Sequence, residues 1–387
     1  MAIYFDHAAT TPMSAAAIEA LNTQITHLGN ASSLHTYGRS VRKDVEEARE
    51  SLARIAGCNP SEIIFTGSGT ESNNLAIKGF YWKRNGEDSS RNIIVISAIE
   101  HHAVLDPVEW LEEHEGAQII HCPVSSQGLI DLERLREIID SHREEIALVA
   151  VMHSNNEVGT LQPIRAVVEI AGDIPVHTDA VQSFTKVEFN FEELGVTSAT
   201  LSAHKIGGPL GVAALILRRG IDVTPILHGG GQERDIRSGT LNAPAIVSFA
   251  AAAIDADAKR SENFESIQSL KSYLFNSLKE RVPDIQLNGS LDNALPGIVN
   301  ITFPETESDG LLLLLDAEGI ASSTGSACSA GVPRPSHVLL AMGISEKDAR
   351  SSLRFSLGNA NTKEEIDHVA SVIESVVERA RAAHSRK

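Results

Sequence analysis

Lys205 stands in Ser202-Ala203-His204-Lys205, directly after the apolar run Ala199 to Leu201 and before Gly207-Gly208-Pro209. An amine on a turn at the end of a strand can condense with an aldehyde. Partial burial or neighbouring positive charge helps by lowering its pKa from about 10.4. The alternative is an ordinary surface lysine in a loop. Asp179, in Asp179-Ala180-Val181-Gln182, also follows an apolar run. A carboxylate against a pyridine nitrogen keeps it protonated, so that the ring accepts electrons from a substrate carbanion, and Gln182 can reach a ring hydroxyl. The alternative for Asp179 is a helix N-cap.

Five further constellations carry possible chemistry. Thr66-Gly67-Ser68-Gly69-Thr70-Glu71 lies between a strand and a helix, where exposed N–H groups and hydroxyls form an anion nest; a plain tight turn with an N-cap is the other reading. Glu100-His101-His102 offers an imidazole to stack on a flat ring and shuttle protons, or only a satisfied histidine. His153 to Gly159 (HSNNEVG) holds amides that orient a ligand or shape a turn. Ser322 to Gly331 surrounds Cys328 with small residues and two glycines, the setting of a thiol that can move rather than of a structural cysteine among large apolar neighbours. Arg354, in the apolar segment Ser352 to Ser356, needs an anionic partner: a substrate carboxylate or an internal salt bridge.

The elements that must position these groups alternate. Ser40 to Ala56 is an amphipathic helix with Val41, Val45, Ala48, Leu52 and Ile55 on one face and Gly57 to stop it. Glu62 to Thr66, Asn92 to Ser97, Ile146 to His153, Pro175 to Thr178, Ala199 to Leu201 and Gly211 to Leu217 read as strands. Asp131 to His142 and Pro163 to Ala171 read as helices between them. Continuous apolar strands separated by helices predict an α/β fold with a mostly parallel sheet covered on both faces, whose ligands sit beyond the carboxyl ends of the strands. After about residue 260 the texture changes to a polar helix (Ser261 to Glu280) and short strands near Gly297 to Phe303. A final helix is capped by Thr362 and Glu365, with Ile366, Val369, Ile373 and Val377 as its apolar stripe. We divide the chain into a large unit, residues 15–260, and a smaller α+β unit, residues 1–14 with 261–387, which carries the Cys328 loop.

Composition narrows the partners. With 33 basic and 51 acidic residues among 387, the net charge is -18, which disfavours direct nucleic-acid binding. The three cysteines show no zinc spacing and no disulfide framework, so neither a resident metal nor an oxidising compartment is expected. The start has no secretory pattern and the longest apolar runs are too short to span a bilayer; no membrane role is expected and the cytoplasm is the default.

Taken in order, YFDHAATTP, TGSGTESNNLAIKG, EHHAVL, HSNNEVGTLQPI, HTDAVQ, SAHKIGGPLG, GGGQERDIRSGTLN, STGSACSAG, PSHVL and LRFSLG resemble the cysteine desulfurases, within the class V aminotransferase group of fold-type I enzymes that use pyridoxal 5'-phosphate (PLP). The resemblance runs nearly end to end. It implies the reaction: L-cysteine to L-alanine, with the sulfur held as a persulfide on Cys328. It implies Lys205 as Schiff-base lysine, His101 as stacking and protonating histidine, and Asp179 and Gln182 on the ring nitrogen and ring oxygen. Gly69, Thr70, Ser202 and His204 match the phosphate cup. Thr240 matches a threonine given to the partner subunit's phosphate site, which implies a homodimer. Asn155 and Arg354 match substrate contacts, Arg354 on the carboxylate. The implied recipient is a sulfur-acceptor protein, either an iron–sulfur scaffold or a tRNA-thiolation sulfurtransferase; an iron–sulfur cluster would be met only at Cys328 during transfer. Selenocysteine lyase or a related class V aminotransferase is the alternative, and a non-catalytic sulfur scaffold a more distant one. The chain departs from the pattern at Gly331-Val332-Pro333-Arg334, where relatives often carry Leu-Glu before Pro-Ser, at Asn359, where arginine is common, and at Asp235. None of these removes a catalytic group.

Overall fold

Most strands of the central sheet are short runs of β-branched or small residues, with polar positions in β4 and β6, and each sends alternate side chains to opposite faces. The computed structural model, which describes residues 2–325 and 335–385, contains twelve strands: β1 (Ile3–Tyr4), β2 (Ile63–Thr66), β3 (Ile93–Ser97), β4 (Gln118–Cys122), β5 (Ile146–Ala150), β6 (Val176–Asp179), β7 (Ser198–Ser202), β8 (Ala213–Leu217), β9 (Gln286–Asn288), β10 (Ile298–Thr302), β11 (Ile320–Ala321) and β12 (Ser352–Ser356). Seven form one sheet in the order β2-β8-β7-β6-β5-β3-β4. All its pairs are parallel except those of β8, which runs against both neighbours. The link from β7 to β8 is too short for a crossover helix, so the chain can only turn back.

Ile63, Phe65, Ile93, Val95 and Val149 enter one core, while Ile64, Ile94, Ile96 and Leu148 enter another on the opposite face. Both faces are therefore covered, as the unbroken apolar strands require. The expected α/β architecture with a mostly parallel sheet is present. Element limits moved by a few residues. The helix expected from Ser40 begins at Thr36, because the His35 side chain accepts the Gly38 N–H and caps it earlier. Gly57 ends it in the left-handed conformation (φ 67°), as read. The strand expected to reach His153 stops at Ala150, yet Val151 N and His153 N still bond His177 O and Asp179 O at 3.0 and 2.9 Å.

A further core gathers Ile3 and Phe5 with residues from Ile267 to Ala380. It lies on the antiparallel sheet β12-β10-β9 and on the helices Arg260–Arg281 and Lys363–His384. The predicted capping box of Thr362 and Glu365 is formed. Ile366, Val369, Ile373 and Val377 are fully buried, each contributing about 1.5–3 kcal/mol relative to exposure. The N-terminal residues join this region: β1 pairs with β11, and Ser356 N donates to Phe5 O at 2.7 Å.

Candidate active site

β2, β3, β5, β6 and β7 all end at one edge of the central sheet, and the segments that follow them surround a cavity of about 640 Å³. Gly69 and Thr70 line it at the start of the helix Gly69–Glu87, His101 at the start of His102–Glu115, Asp179 at the last position of β6 and Gln182 in the turn after it. Ser202, His204 and Lys205 line it in the turn after β7, and Arg354 reaches it from β12. Sequence order scatters these groups; sheet order brings them together.

Lys205 is half-buried, and its Nζ donates to Ala8 O and Ala9 O at 2.5 and 2.7 Å. Desolvation, reinforced by the Arg354 guanidinium and opposed by Asp179 and Asp6, holds its pKa down to about 8. An amine so poised is a workable nucleophile and proton acceptor near neutral pH.

Asp179 is 7% exposed. Its Oδ1 accepts the Val181 N–H at 2.9 Å and its Oδ2 accepts Asn73 Nδ2 at 2.6 Å. Behind Asn73 the chain of bonds continues: Asn73 Oδ1 to His177 Nε2 at 2.9 Å, and His177 Nδ1 to Ser198 Oγ at 2.8 Å. Complete burial pushes the His177 pKa down to about 3, so its ring is neutral. With Nε2–H facing the Asn73 carbonyl, Nδ1 is left to accept from the Ser198 hydroxyl. The sequence reading missed Asn73, His177 and Ser198. Their only signal was polarity inside otherwise apolar β6 and β7 and on a helix face.

His101 caps its helix through Nδ1, which accepts the Ala103 N–H at 3.0 Å. Nε2 therefore carries the ring proton in the neutral form. Desolvation lowers its pKa, with Asp179 opposing and Lys205, His102 and His337 adding to the effect. His204 is lowered to about 4 by desolvation, then by Lys205 and Lys186. Beneath them, Glu100 is fully buried, accepts from Ser97 Oγ and Met152 N, and is pushed up to about 8 by desolvation.

At the nest, Ser68 caps the helix by accepting the Glu71 N–H at 3.1 Å. A Cβ on Gly69 would come within 3.1 Å of Val181 Cγ2, so the cradle floor there is backbone. Gln182 Nε2 donates to Ala8 O at 2.8 Å.

Arg354 is 4% exposed, and the internal ion pair offered above as the alternative is present: Nη2 contacts Asp6 Oδ1 at 2.7 Å. Nη1 donates to Asn156 O at 2.9 Å, and Nε is buried without a partner. Among the described residues these bonds use two of its five N–H groups.

Two residues stand apart. Asn155 does not line the cavity; Ser154 and Asn156 do. Its amide is consumed locally, Nδ2 donating to Ile99 O at 3.0 Å and Oδ1 accepting from Glu157 N and Val158 N at 2.8 and 3.0 Å. Thr240 is exposed and likewise absent from the lining. Cys328 lies outside the described residues, as do all of residues 326–334. The chain meets the cavity on either side of that segment. Ser323 exchanges two backbone hydrogen bonds with Arg354, Gly325 and His337 line the wall, and Ser336 Oγ donates to Glu157 Oε2 at 2.5 Å.

Comparison with known proteins places this arrangement. The model of the class V aminotransferase family matches residues 3–369. An IscS-like cysteine desulfurase of Mycobacterium tuberculosis is 48% identical over 98% of this chain and 97% of its own. The cysteine desulfurase IscS of Dictyoglomus turgidum is 40% identical over 98% and 95%. Among solved structures, a NifS-like protein from Rickettsia africae superposes with a TM-score of 0.87 at 34% identity, over 98% of this chain and all of that one.

Proposed function

The chain belongs to the class V aminotransferase family, within its cysteine desulfurases, and from that premise we propose that it strips sulfur from L-cysteine with PLP, leaves alanine, and carries the sulfur on Cys328. The observation that carries this reading is the meeting of Lys205, Asp179 and Arg354 on one cavity wall, with both flanks of the Cys328 segment anchored to it.

The residues present suit the cofactor. The cradle at Gly69, which a side chain would fill, takes the phosphate together with Thr70, Ser202 and His204. Asp179 would hold the ring nitrogen, Gln182 the ring oxygen and His101 a ring face. When bound, PLP supplies an electron sink for negative charge at the substrate Cα. The chain's own groups do the rest. Arg354 grips the substrate carboxylate through its unpartnered Nε and whatever donor Asp6 releases. The Lys205 amine takes the Cα proton and returns it. The Cys328 thiolate attacks the substrate sulfur: an S–S bond forms, the Cβ–S bond breaks, and its electron pair stays with the carbon skeleton that leaves, once protonated, as alanine. Asn155 supports the site by holding the loop that presents Ser154 and Asn156.

The chain divides as read above, residues 15–260 around the central sheet and 1–14 with 261–387 around the second. Thr240, exposed and away from its own cavity, serves the site of a second copy, and the exposed apolar Leu28, Leu34, Tyr37 and Leu210 give a homodimer its surface. The acceptor is a protein thiol on an iron–sulfur scaffold or a tRNA-thiolation sulfurtransferase, and the work is cytoplasmic; among the described residues no helix is long and apolar enough to cross a membrane.

The test is direct. The PLP-loaded enzyme given L-cysteine and a thiol reductant should yield alanine and sulfide in equal amounts. Lys205→Ala should remove both products. Alanine formation unaffected by Lys205→Ala would end the proposal.

A further inference from the structure

A second cavity, of about 320 Å³, adjoins the first and shares Ala8 and Lys205 with it. Its wall is largely apolar, built from Pro12, Met13, Phe264, Leu295, Ile298 and Leu357. Two polar groups on that wall lack proper partners. The Lys186 ammonium has no carboxylate within 4 Å among the described residues; its recorded bond is a long one, 3.4 Å to Gln182 Oε1. Thr185 is 5% exposed, and its Oγ1 has no hydrogen-bond partner. Thr185 also holds a φ of 60°, a left-handed conformation that a β-branched residue adopts only where its surroundings dictate it. Another polar group there, His7, is accounted for: its Nδ1 shares a hydrogen with Thr11 Oγ1 at 2.7 Å. So are the charges at Asp255 and Arg260, paired with Lys259 and Asp257.

We propose that this second cavity is a binding site for a small aliphatic carboxylate, its head on Lys186 and Thr185 and its tail against Phe264, Leu295 and Ile298. Buried polar groups are normally satisfied, and an unpaired amine beside an unpaired hydroxyl asks for an anionic acceptor with two oxygens. The apolar wall asks for a hydrocarbon body, which sets aside inorganic phosphate and dicarboxylates. The cavity, at about 320 Å³, has ample room for an acid of about six carbons. Desolvation, together with Lys205 and Arg354, holds the Lys186 pKa down to about 7, the state expected of an amine whose counter-ion is missing. Occupancy would be felt next door. Lys186 turning to a carboxylate releases Gln182 Oε1 and frees the amide that was assigned above, through its Nε2 donor, to the cofactor's ring oxygen; this consequence alone rests on the desulfurase reading.

Hexanoate is the probe, titrated by calorimetry into the PLP-loaded protein. One saturable site is expected, with hexanoate non-competitive against L-cysteine in initial rates. Lys186→Met should weaken binding at least tenfold. Ala256→Phe, which fills the cavity without touching the charge, should weaken it as much, with folding verified by thermal melting. The proposal is overturned if no binding occurs, if both variants bind hexanoate as the parent does, or if hexanoate competes with L-cysteine and so sits on Arg354. Because binding is read as heat, a protein without desulfurase turnover would still answer the question.

Discussion

The two ends of the main cavity hold opposite charges and hold them differently. At one end Asp179 is backed by neutral donors three residues deep, through Asn73, His177 and Ser198, all fully buried. At the other, Arg354 leans on a partly exposed carboxylate, Asp6, and a carbonyl, with three of its five N–H groups carrying no bond among the described residues. The first arrangement resists exchange, because every alternative leaves a buried polar group unpaired. The second invites it, since an incoming carboxylate replaces a similar group already in place. The Asp179 end is built to be permanent and the Arg354 end to be traded.

The sharpest attack on that contrast is chemical. Cys328→Ser should reduce sulfur release to background while the visible absorbance of bound cofactor persists, since no residue of the Asp179 end is touched; loss of the absorbance would show that the two ends are not separable. Arg354→Gln should raise KM for L-cysteine by roughly tenfold to a hundredfold, the worth of a charge-assisted hydrogen bond, with cofactor content unchanged. Asn73→Ala should do the reverse. It should cost about 1–3 kcal/mol in thermal stability and loosen PLP, measured by dialysis, with KM for L-cysteine little altered. Acid should attack the permanent end first. His177 has a folded pKa depressed to about 3 against about 6.5 unfolded, so its contribution is present above 6.5 and lost as pH falls through that window toward 3. His153, lowered to about 4, acts in the same sense. A melting temperature flat between pH 6.5 and 4 would contradict this. The smallest effect belongs to Asp6→Asn, which relieves competition for Arg354 and should lower KM by no more than about fivefold.

Much of the site was legible because its residues follow strands. Lys205, Asp179 and His101 each stand just after a short apolar run, and a parallel sheet delivers such positions to one edge. What stayed hidden depends on contacts between distant segments. Asn73 and His177 are 104 positions apart, and Asp6 and Arg354 are 348 apart. No local pattern announces such pairs. Asn155 illustrates a subtler limit: its residue type suits ligand contact, but the turn spends its whole amide on the backbone. The helix from Thr36 shows the same thing in miniature, its start set by a histidine cap rather than by apolar spacing.

The N-terminal residues carry a consequence for biosynthesis. Ile3 to His7 are synthesised some three hundred residues before their partners, Gly319 to Ala321 and Arg354 to Ser356. The central sheet can form on the nascent chain, whereas the surroundings of Arg354 must wait until residues 319–356 have been made. Until then the leading segment, with Ile3 and Phe5 uncovered, is a natural client for chaperones.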